Sequence, residues 1–149
     1  MAGTHYLADT NILLRLMKLN DPEFPLVRRA VHVLEARGDR LCYIPQNLVE
    51  FWNACTRPAD RNGYGLSPVE ADQRAQRIER AFTLLPDNER IHPEWRRLVL
   101  AHSVSGAQVH DARLVAAMHV HAVTQLLTLN DRDFTRYSAI TIVHLRGVA

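Results

Sequence analysis

The sequence predicts an α/β domain with three layers, in which a parallel sheet of about five strands lies between two layers of helices. The chain has 149 residues, of which 47% are hydrophobic and 23% charged, as expected for one globular domain. Short apolar runs typical of strands alternate with longer stretches of helical periodicity. Such alternation requires crossover connections, which make neighbouring strands parallel. We therefore expect one domain over residues 1–149.

The composition excludes several other classes of protein. Six glycines and seven prolines are too few for a low-complexity chain. No apolar run approaches the ~20 residues of a membrane span, and the first residues lack the basic region of a signal peptide. Cys42 and Cys55 form no metal-binding or disulfide pattern and are expected to be buried thiols of a cytoplasmic protein. The net charge of +2, from one lysine and 17 arginines against 16 acids, neither requires nor excludes a nucleic-acid partner.

The first part of the chain predicts two strands and three helices. Residues 5–9 form an apolar run typical of a buried parallel strand, and residues 12–19 a helix that a proline-bearing segment ends. A helical apolar stripe covers residues 26–37 and stops at a glycine. Residues 41–44 are the second strand. The third helix covers 45–55, with proline at its first position and four apolar residues on one face.

The second part continues the same alternation. A polar, glycine-bearing segment at 57–65 predicts a loop, and Ser67, Pro68 and Glu70 then provide the N-cap, N1 and N3 residues of a helix. The later predicted elements are a short strand at 83–86, helices at 93–103 and 108–121, a strand at 125–128, a single turn at 130–134 and a last strand at 139–143.

Polar and acidic residues follow three of the predicted strands. In an open parallel sheet, ligands bind beyond the carboxyl ends of the strands, so these side chains are expected to gather at one edge. They are Asp9, Thr10 and Asn11 after the first strand, Asn47 and Glu50 after the second, and Asn130, Asp131 and Asp133 after the fourth.

Asp111 lies in line with the apolar positions of its helix, which are Leu114, Val115, Met118 and Ala122. Its carboxylate is therefore expected to point toward the sheet, where an unpaired charge is costly and requires hydrogen bonds, a cation or a metal. Two other interpretations remain open. Asp111 caps the first turn of its helix, or it pairs with Arg113 or another arginine.

Three or four carboxylates at one sheet edge would repel one another unless a cation neutralised them. Carboxylates are hard oxygen ligands, so Mg²⁺ or Mn²⁺ is the natural occupant of such a site. A centre of this kind activates water and stabilises the charge that develops in phosphodiester hydrolysis. The sequence therefore predicts a metal-dependent hydrolase that acts on nucleic acid.

Four stretches that contain these acids occur in order over nearly the whole chain: YLADTNILL at 6–14, IPQNLVEF at 44–51, VHDARLVAA at 109–117 and LTLNDRDF at 127–134. In order and spacing, the chain resembles the PIN-domain ribonucleases, and among them the VapC-like toxins of bacterial toxin–antitoxin pairs. The resemblance implies a five-stranded parallel sheet of order 3-2-1-4-5. It also implies a Mg²⁺- or Mn²⁺-dependent endoribonuclease that an antitoxin protein restrains.

The resemblance also implies the roles of individual residues. By motif match, Asp9, Glu50 and Asp111 are catalytic and bind the metal. Asn130 takes the position where the family has its first acid after the fourth strand, which leaves Asp131 and Asp133 as candidates for the fourth metal ligand, with Asp131 the predicted catalytic residue. Thr10 and Asn11, together with Asn47, are predicted to bind the substrate or to position the first carboxylate.

Apolar residues of the first two helices predict a partner surface. Leu13, Leu16 and Leu19, with the stripe at 26–34, exceed what one sheet face is expected to cover, which favours a homodimer and a binding surface for the antitoxin. Two other functions remain possible on the same fold: a nuclease that cuts structured nucleic acid, and a PIN-like module that only binds partners. Turnover that depends on Mg²⁺ or Mn²⁺ separates the enzymes from the binding module.

Overall fold

In the computed structural model, which describes residues 3–148, five parallel strands form one sheet in the order β3-β2-β1-β4-β5. The predicted strand order is confirmed. The strands are β1 (His5–Ala8), β2 (Arg40–Tyr43), β3 (Thr83–Leu84), β4 (Gln125–Thr128) and β5 (Thr141–His144).

Helices cover both faces of this sheet. They are α1 (Thr10–Leu16), α2 (Phe24–Ala36), α3 (Pro45–Thr56), α4 (Pro68–Ala81), α5 (Ile91–Ala101) and α6 (Gln108–Val120), with short 3₁₀ turns at Ala59–Arg61, Asp131–Phe134 and Leu145–Gly147. Side chains alternate between the faces along each strand, so Leu7 packs in the core under α5 and α6, and Ala8 in the core under α1 to α4. Among residues 3–148, no helix is both long and apolar enough to cross a membrane.

Several element boundaries differ from the prediction. Helix α1 begins at Thr10 and ends at Leu16, whereas residues 12–19 were expected, because the Asp9 side chain accepts a hydrogen bond from the Thr10 N–H and caps the helix. Strand β3 is two residues long, shorter than the predicted 83–86. Strand β5 lies at Thr141–His144, not at 139–143.

Helix α6 is buried all around its axis over five consecutive residues, not along one stripe. Six of its thirteen residues are buried, and five of them are consecutive, from Leu114 to Met118, because α6 lies between the sheet and α5. The apolar stripe therefore does not by itself determine where Asp111 points. Asp111 is half-buried because it lies in the first turn, at the open end of the helix.

The apolar residues that suggested a homodimer are largely covered within the chain itself. Leu13, Val27 and Leu34 are at most 1% exposed in the core under α1 to α4, and Leu16 is partly buried there. Only Leu19, at 78% exposure, faces solvent fully. The stripe on the first two helices is therefore the wrong basis for a homodimer, since four helices, not two, cover this sheet face.

Candidate active site

A cavity of about 550 Å³ opens at the carboxyl ends of β1, β2 and β4, between α3 and the start of α6. Its wall contains Asp9, Glu50 and Asp111, three of the acids that the sequence analysis singled out. The other lining residues are Thr10, Asn11, Gln46, Val49, Asn53, Arg57, His110 and Asn130. The sheet topology therefore brings together acids that are more than 100 residues apart along the chain.

Asp9 is 8% exposed and is held by two hydrogen bonds. Its Oδ1 accepts from the Thr10 N–H at 2.8 Å, and its Oδ2 accepts from the Thr128 hydroxyl at 2.8 Å. Burial raises the pKa of Asp9 from 3.8 to about 6, although both hydrogen bonds lower it; the charges of Glu50 and Asp133 raise it further. This carboxylate is fixed in position and surrounded by negative charge.

Glu50 is oriented by a chain of buried polar groups. The Thr10 hydroxyl donates to its Oε1 at 2.8 Å, and the Asn47 Nδ2 donates to the same hydroxyl at 3.1 Å. The Asn47 Oδ1 in turn accepts from the Ile44 N–H at 2.8 Å, at the start of α3. Asn47 is 0% exposed and does not line the cavity, so it lies behind Thr10 and Glu50. Thr10 is 9% exposed. Its hydroxyl holds Glu50 and its N–H holds Asp9.

Gln46, which is not among the predicted site residues, also holds the site together. Its Nε2 donates to the His110 carbonyl at 2.8 Å and lies 3.4 Å from the Glu50 Oε2, while its Oε1 accepts from Arg113 at 3.2 Å. These bonds connect α3 to α6 and so fix the relative positions of Glu50 and Asp111. The spacing provided a signal, since Gln46 precedes Glu50 by four residues on one helix face.

Asp111 has no hydrogen-bond donor or ion-pair partner for its carboxylate within the part of the chain that the structure describes. Arg113, an expected partner, binds Gln46 and Asp87, and the Arg136 guanidinium donates to Gln108. Burial raises the pKa of Asp111 from 3.8 to about 7; the charges of Asp9, Asp133 and Glu50 raise it further, and the charge of Arg136 lowers it. Neither of the two other interpretations, a cap on the first turn of α6 or an ion pair with an arginine, accounts for the position of Asp111.

The geometry favours Asp133 over Asp131 as the fourth acid. Asp133 is half-buried, accepts a hydrogen bond from the Asn130 Nδ2 at 2.5 Å, and raises the pKa of both Asp9 and Asp111 by its charge. Asp131 is exposed, and its charge is not among those that shift the pKa of Asp9 or Asp111. Neither Asp131 nor Asp133 lines the cavity itself. The structure therefore does not bring Asp131, the predicted catalytic residue, to the other acids. We refer to Asp9, Glu50, Asp111 and Asp133 as the acidic cluster.

The chemistry of the acidic cluster suits a hard divalent cation. Its potential metal ligands are all carboxylate oxygens. Among residues 3–148, neither Asp9 nor Asp111 forms an ion pair with an arginine or a lysine. Within the same residues, no three acids, histidines or cysteines are grouped closely enough to hold an ion by themselves. Mg²⁺ does not require three protein ligands, because it is commonly bound by one or two carboxylates and keeps several waters.

A family model described as the PIN domain matches residues 6–140, which includes the whole acidic cluster. The chain belongs to the PIN domain family. Comparison with the sequences of curated proteins gives no match.

Solved structures share the fold of this PIN domain at low sequence identity. The DNA-bound VapBC from Salmonella typhimurium has a TM-score of 0.70 at 15% identity, with 97% of this chain and 99% of that chain covered. A toxin–antitoxin complex from Klebsiella pneumoniae has a TM-score of 0.63 at 20% identity, with 91% and 95% covered. VapC20 of Mycobacterium tuberculosis, described as a sarcin-ricin loop cleaving toxin, has a TM-score of 0.59 at 16% identity, with 81% and 86% covered.

The segment that follows α3 in this PIN domain is a docked loop that bounds the cavity. The Tyr64 N–H donates to the Ala54 carbonyl at 3.0 Å, and the Gly65 N–H to the Arg57 carbonyl at 2.9 Å. A Cβ atom at Gly63 would lie 2.0 Å from the Arg57 carbonyl oxygen, so only glycine permits this close approach of backbone to backbone. The loop predicted at 57–65 therefore has one defined conformation, with a 3₁₀ turn at Ala59–Arg61.

Proposed function

We propose that this PIN domain is a divalent-metal-dependent endoribonuclease and the toxin of a toxin–antitoxin pair. The observation that carries the proposal is the acidic cluster at the carboxyl ends of the strands. Within residues 3–148 the Asp111 carboxylate has no partner, and the charges of the neighbouring acids raise the pKa of both Asp9 and Asp111. Structural roles do not account for acids placed in this way, because repulsion destabilises the fold. A cation removes that cost and recruits the phosphate of a nucleic acid.

One or two of Asp9, Glu50 and Asp111 would bind Mg²⁺ or Mn²⁺ directly, and the other acids, Asp133 among them, would bind it through waters that it keeps. The cation, when bound, supplies positive charge that polarises a water and stabilises the charge developing on the phosphate. Thr10, Asn47 and Gln46 hold Glu50 and Asp111 at a fixed separation. Asn11 and His110 line the cavity and are placed to contact the substrate.

Two of the structural relatives support the choice of RNA and the role of a toxin. The Klebsiella pneumoniae structure is a toxin–antitoxin complex, and VapC20 is a toxin that cleaves the sarcin-ricin loop. An open cavity of about 550 Å³ suits a strand whose backbone is accessible, as in single-stranded or looped RNA. The expected substrate is therefore an RNA loop or single strand.

Metal removal tests this function. We expect the purified protein to cleave a mixed RNA pool in Mg²⁺ or Mn²⁺ and to lose at least about 100-fold of its rate in EDTA, because the acids then face the phosphate without a cation. Sequencing of the new RNA ends measures the cleavage. Asp9→Asn protein, purified in the same way, controls for contaminating nuclease. A wild-type rate that EDTA leaves unchanged would contradict the metal mechanism, and no cleavage in either metal would favour a binding module.

Exposed apolar residues support a protein partner. Val49 is 70% exposed beside a groove of about 540 Å³ between α3 and α4, which Leu48 and Trp52 also line. Contiguous apolar surface of this kind marks interfaces.

We propose that this PIN domain binds an antitoxin and forms a homodimer. Sedimentation at high micromolar concentration is therefore expected to give twice the 17.0 kDa of the monomer. A monomer at that concentration would contradict the dimer.

A further inference from the structure

We propose that Arg57, together with Asn53, binds an RNA backbone phosphate next to the one that is cleaved. The inference rests on the proposed function, since it places a second phosphate site beside the acidic cluster. It concerns one end of the same cavity, which Arg57 and Asn53 line together with the acids.

One face of α3 connects the two ends of the cavity. Gln46, Glu50 and Asn53 on α3, and Arg57 at its C-cap, follow one another at intervals of four, three and four residues. All four lie on one side of the helix and line the cavity. At 1.5 Å per residue, Arg57 lies about 10 Å beyond Glu50 along the helix axis. A strand whose cleaved phosphate lies at Glu50 therefore passes Arg57 within one or two nucleotides.

The Arg57 guanidinium retains one accessible group, Nη1, that forms no hydrogen bond within residues 3–148. Its Nη2 donates to the Asn62 carbonyl at 2.8 Å, and its Nε is buried without a partner, so Nη1 is the group available to a ligand. Within the same residues Arg57 forms no ion pair, and its charge is not among those that shift the pKa of Asp9 or Asp111. Arg57 therefore does not neutralise the acidic cluster. The accessible N–H groups of Nη1 can bind a phosphate oxygen through a charge-assisted hydrogen bond.

The backbone around Arg57 is fixed before any ligand arrives. The Gly65 N–H binds the Arg57 carbonyl, and Gly63 packs against the same carbonyl. Asn62 has a φ of 63°, a left-handed conformation that asparagine tolerates, and this turns its carbonyl toward the guanidinium. The loop thus holds Arg57 at the end of the cavity and reduces the entropic cost of binding.

Equilibrium binding tests the phosphate site independently of cleavage. A labelled oligoribonucleotide is titrated against Asp111→Asn protein, with and without Arg57→Gln, over a range of salt concentrations. We expect Arg57→Gln to weaken binding about tenfold and to reduce the slope of log K against log salt by about 0.7, the value for one lost phosphate contact in a single strand. Arg61→Gln is the matched control, because Arg61 is exposed on the same loop and does not line the cavity.

Cleavage by otherwise wild-type protein gives a second readout. Arg57→Gln is expected to raise KM about tenfold on an oligoribonucleotide and to have no effect on a dinucleotide, which lacks a flanking phosphate. An unchanged salt slope, an equal loss with Arg61→Gln, or an equal loss on both substrates would overturn the phosphate site. Failure of the wild type to cleave RNA would instead overturn the proposed function, while the binding titration still decides the role of Arg57.

Discussion

Asp111→Asn is expected to abolish RNA cleavage while the metal-free protein becomes as stable as wild type or more stable. Asparagine keeps the shape of the side chain and removes the charge that Asp9, Asp133 and Glu50 repel. We expect a gain of about 1–2 kcal/mol at neutral pH, allowing for solvent screening at this half-buried site. Thermal melts in EDTA measure it, since ~1 kcal/mol shifts the melting temperature by about 2–4 °C at this size.

The pH dependence of this gain follows from the direction of the pKa shift. Folding raises the pKa of Asp111 from 3.8 to about 7, so ionisation of this group opposes folding. Its contribution to wild-type stability therefore falls as the pH rises from about 4 to about 7. Besides the three acids, Arg136 acts on this group, and its charge lowers the pKa. The difference in melting temperature between variant and wild type should be larger at about pH 8 than at about pH 5.

The opposite sign would show that Asp111 is a structural residue. If the carboxylate paired with a buried arginine, Asp111→Asn would leave that cation without a partner and cost about 3–5 kcal/mol. A strongly destabilised variant that still cleaves RNA would contradict both the metal role and the unpaired state of Asp111. Addition of Mg²⁺ or Mn²⁺ provides a control, because the metal should stabilise the wild type more than the variant.

Asn47→Ala is expected to lower both stability and activity, although Asn47 is buried and does not line the cavity. The substitution leaves the Ile44 N–H buried without an acceptor and removes the donor that holds the Thr10 hydroxyl. An orphaned buried group costs about 1–3 kcal/mol. Glu50 then loses its fixed orientation, so kcat should fall more than KM changes. Denaturant unfolding and steady-state cleavage measure the two effects.

The matched control is Asn20→Ala, which makes the same substitution at an exposed position between α1 and α2. Surface substitutions of this kind usually change stability by less than about 0.5 kcal/mol. If Asn47→Ala unfolded at the same denaturant concentration as Asn20→Ala, the buried chain from Ile44 to Glu50 would not hold the site.

Local sequence was sufficient to predict the order of elements and most of the acids. Strand β4 was predicted at its observed residues, and Asp9, Glu50 and Asp111 were singled out because each follows a strand or lies in line with apolar residues. Asp9 also explains why the observed start of α1 differs from the predicted start. The same carboxylate caps α1, and this local hydrogen bond starts the helix two residues before its apolar pattern begins.

Hydrophobic period and turn residues act over short distances along the chain, so the residue pattern alone predicts the α/β class, the alternation of strands and helices and the candidate acids. The folded chain was needed to show that Asn47 is buried, that Gln46 connects α3 to α6 and that the charge of Asp133, not that of Asp131, acts on Asp9 and Asp111. It also showed that four helices cover the apolar residues assigned to a dimer. These outcomes depend on contacts between distant segments, whose burial and charge no local pattern specifies.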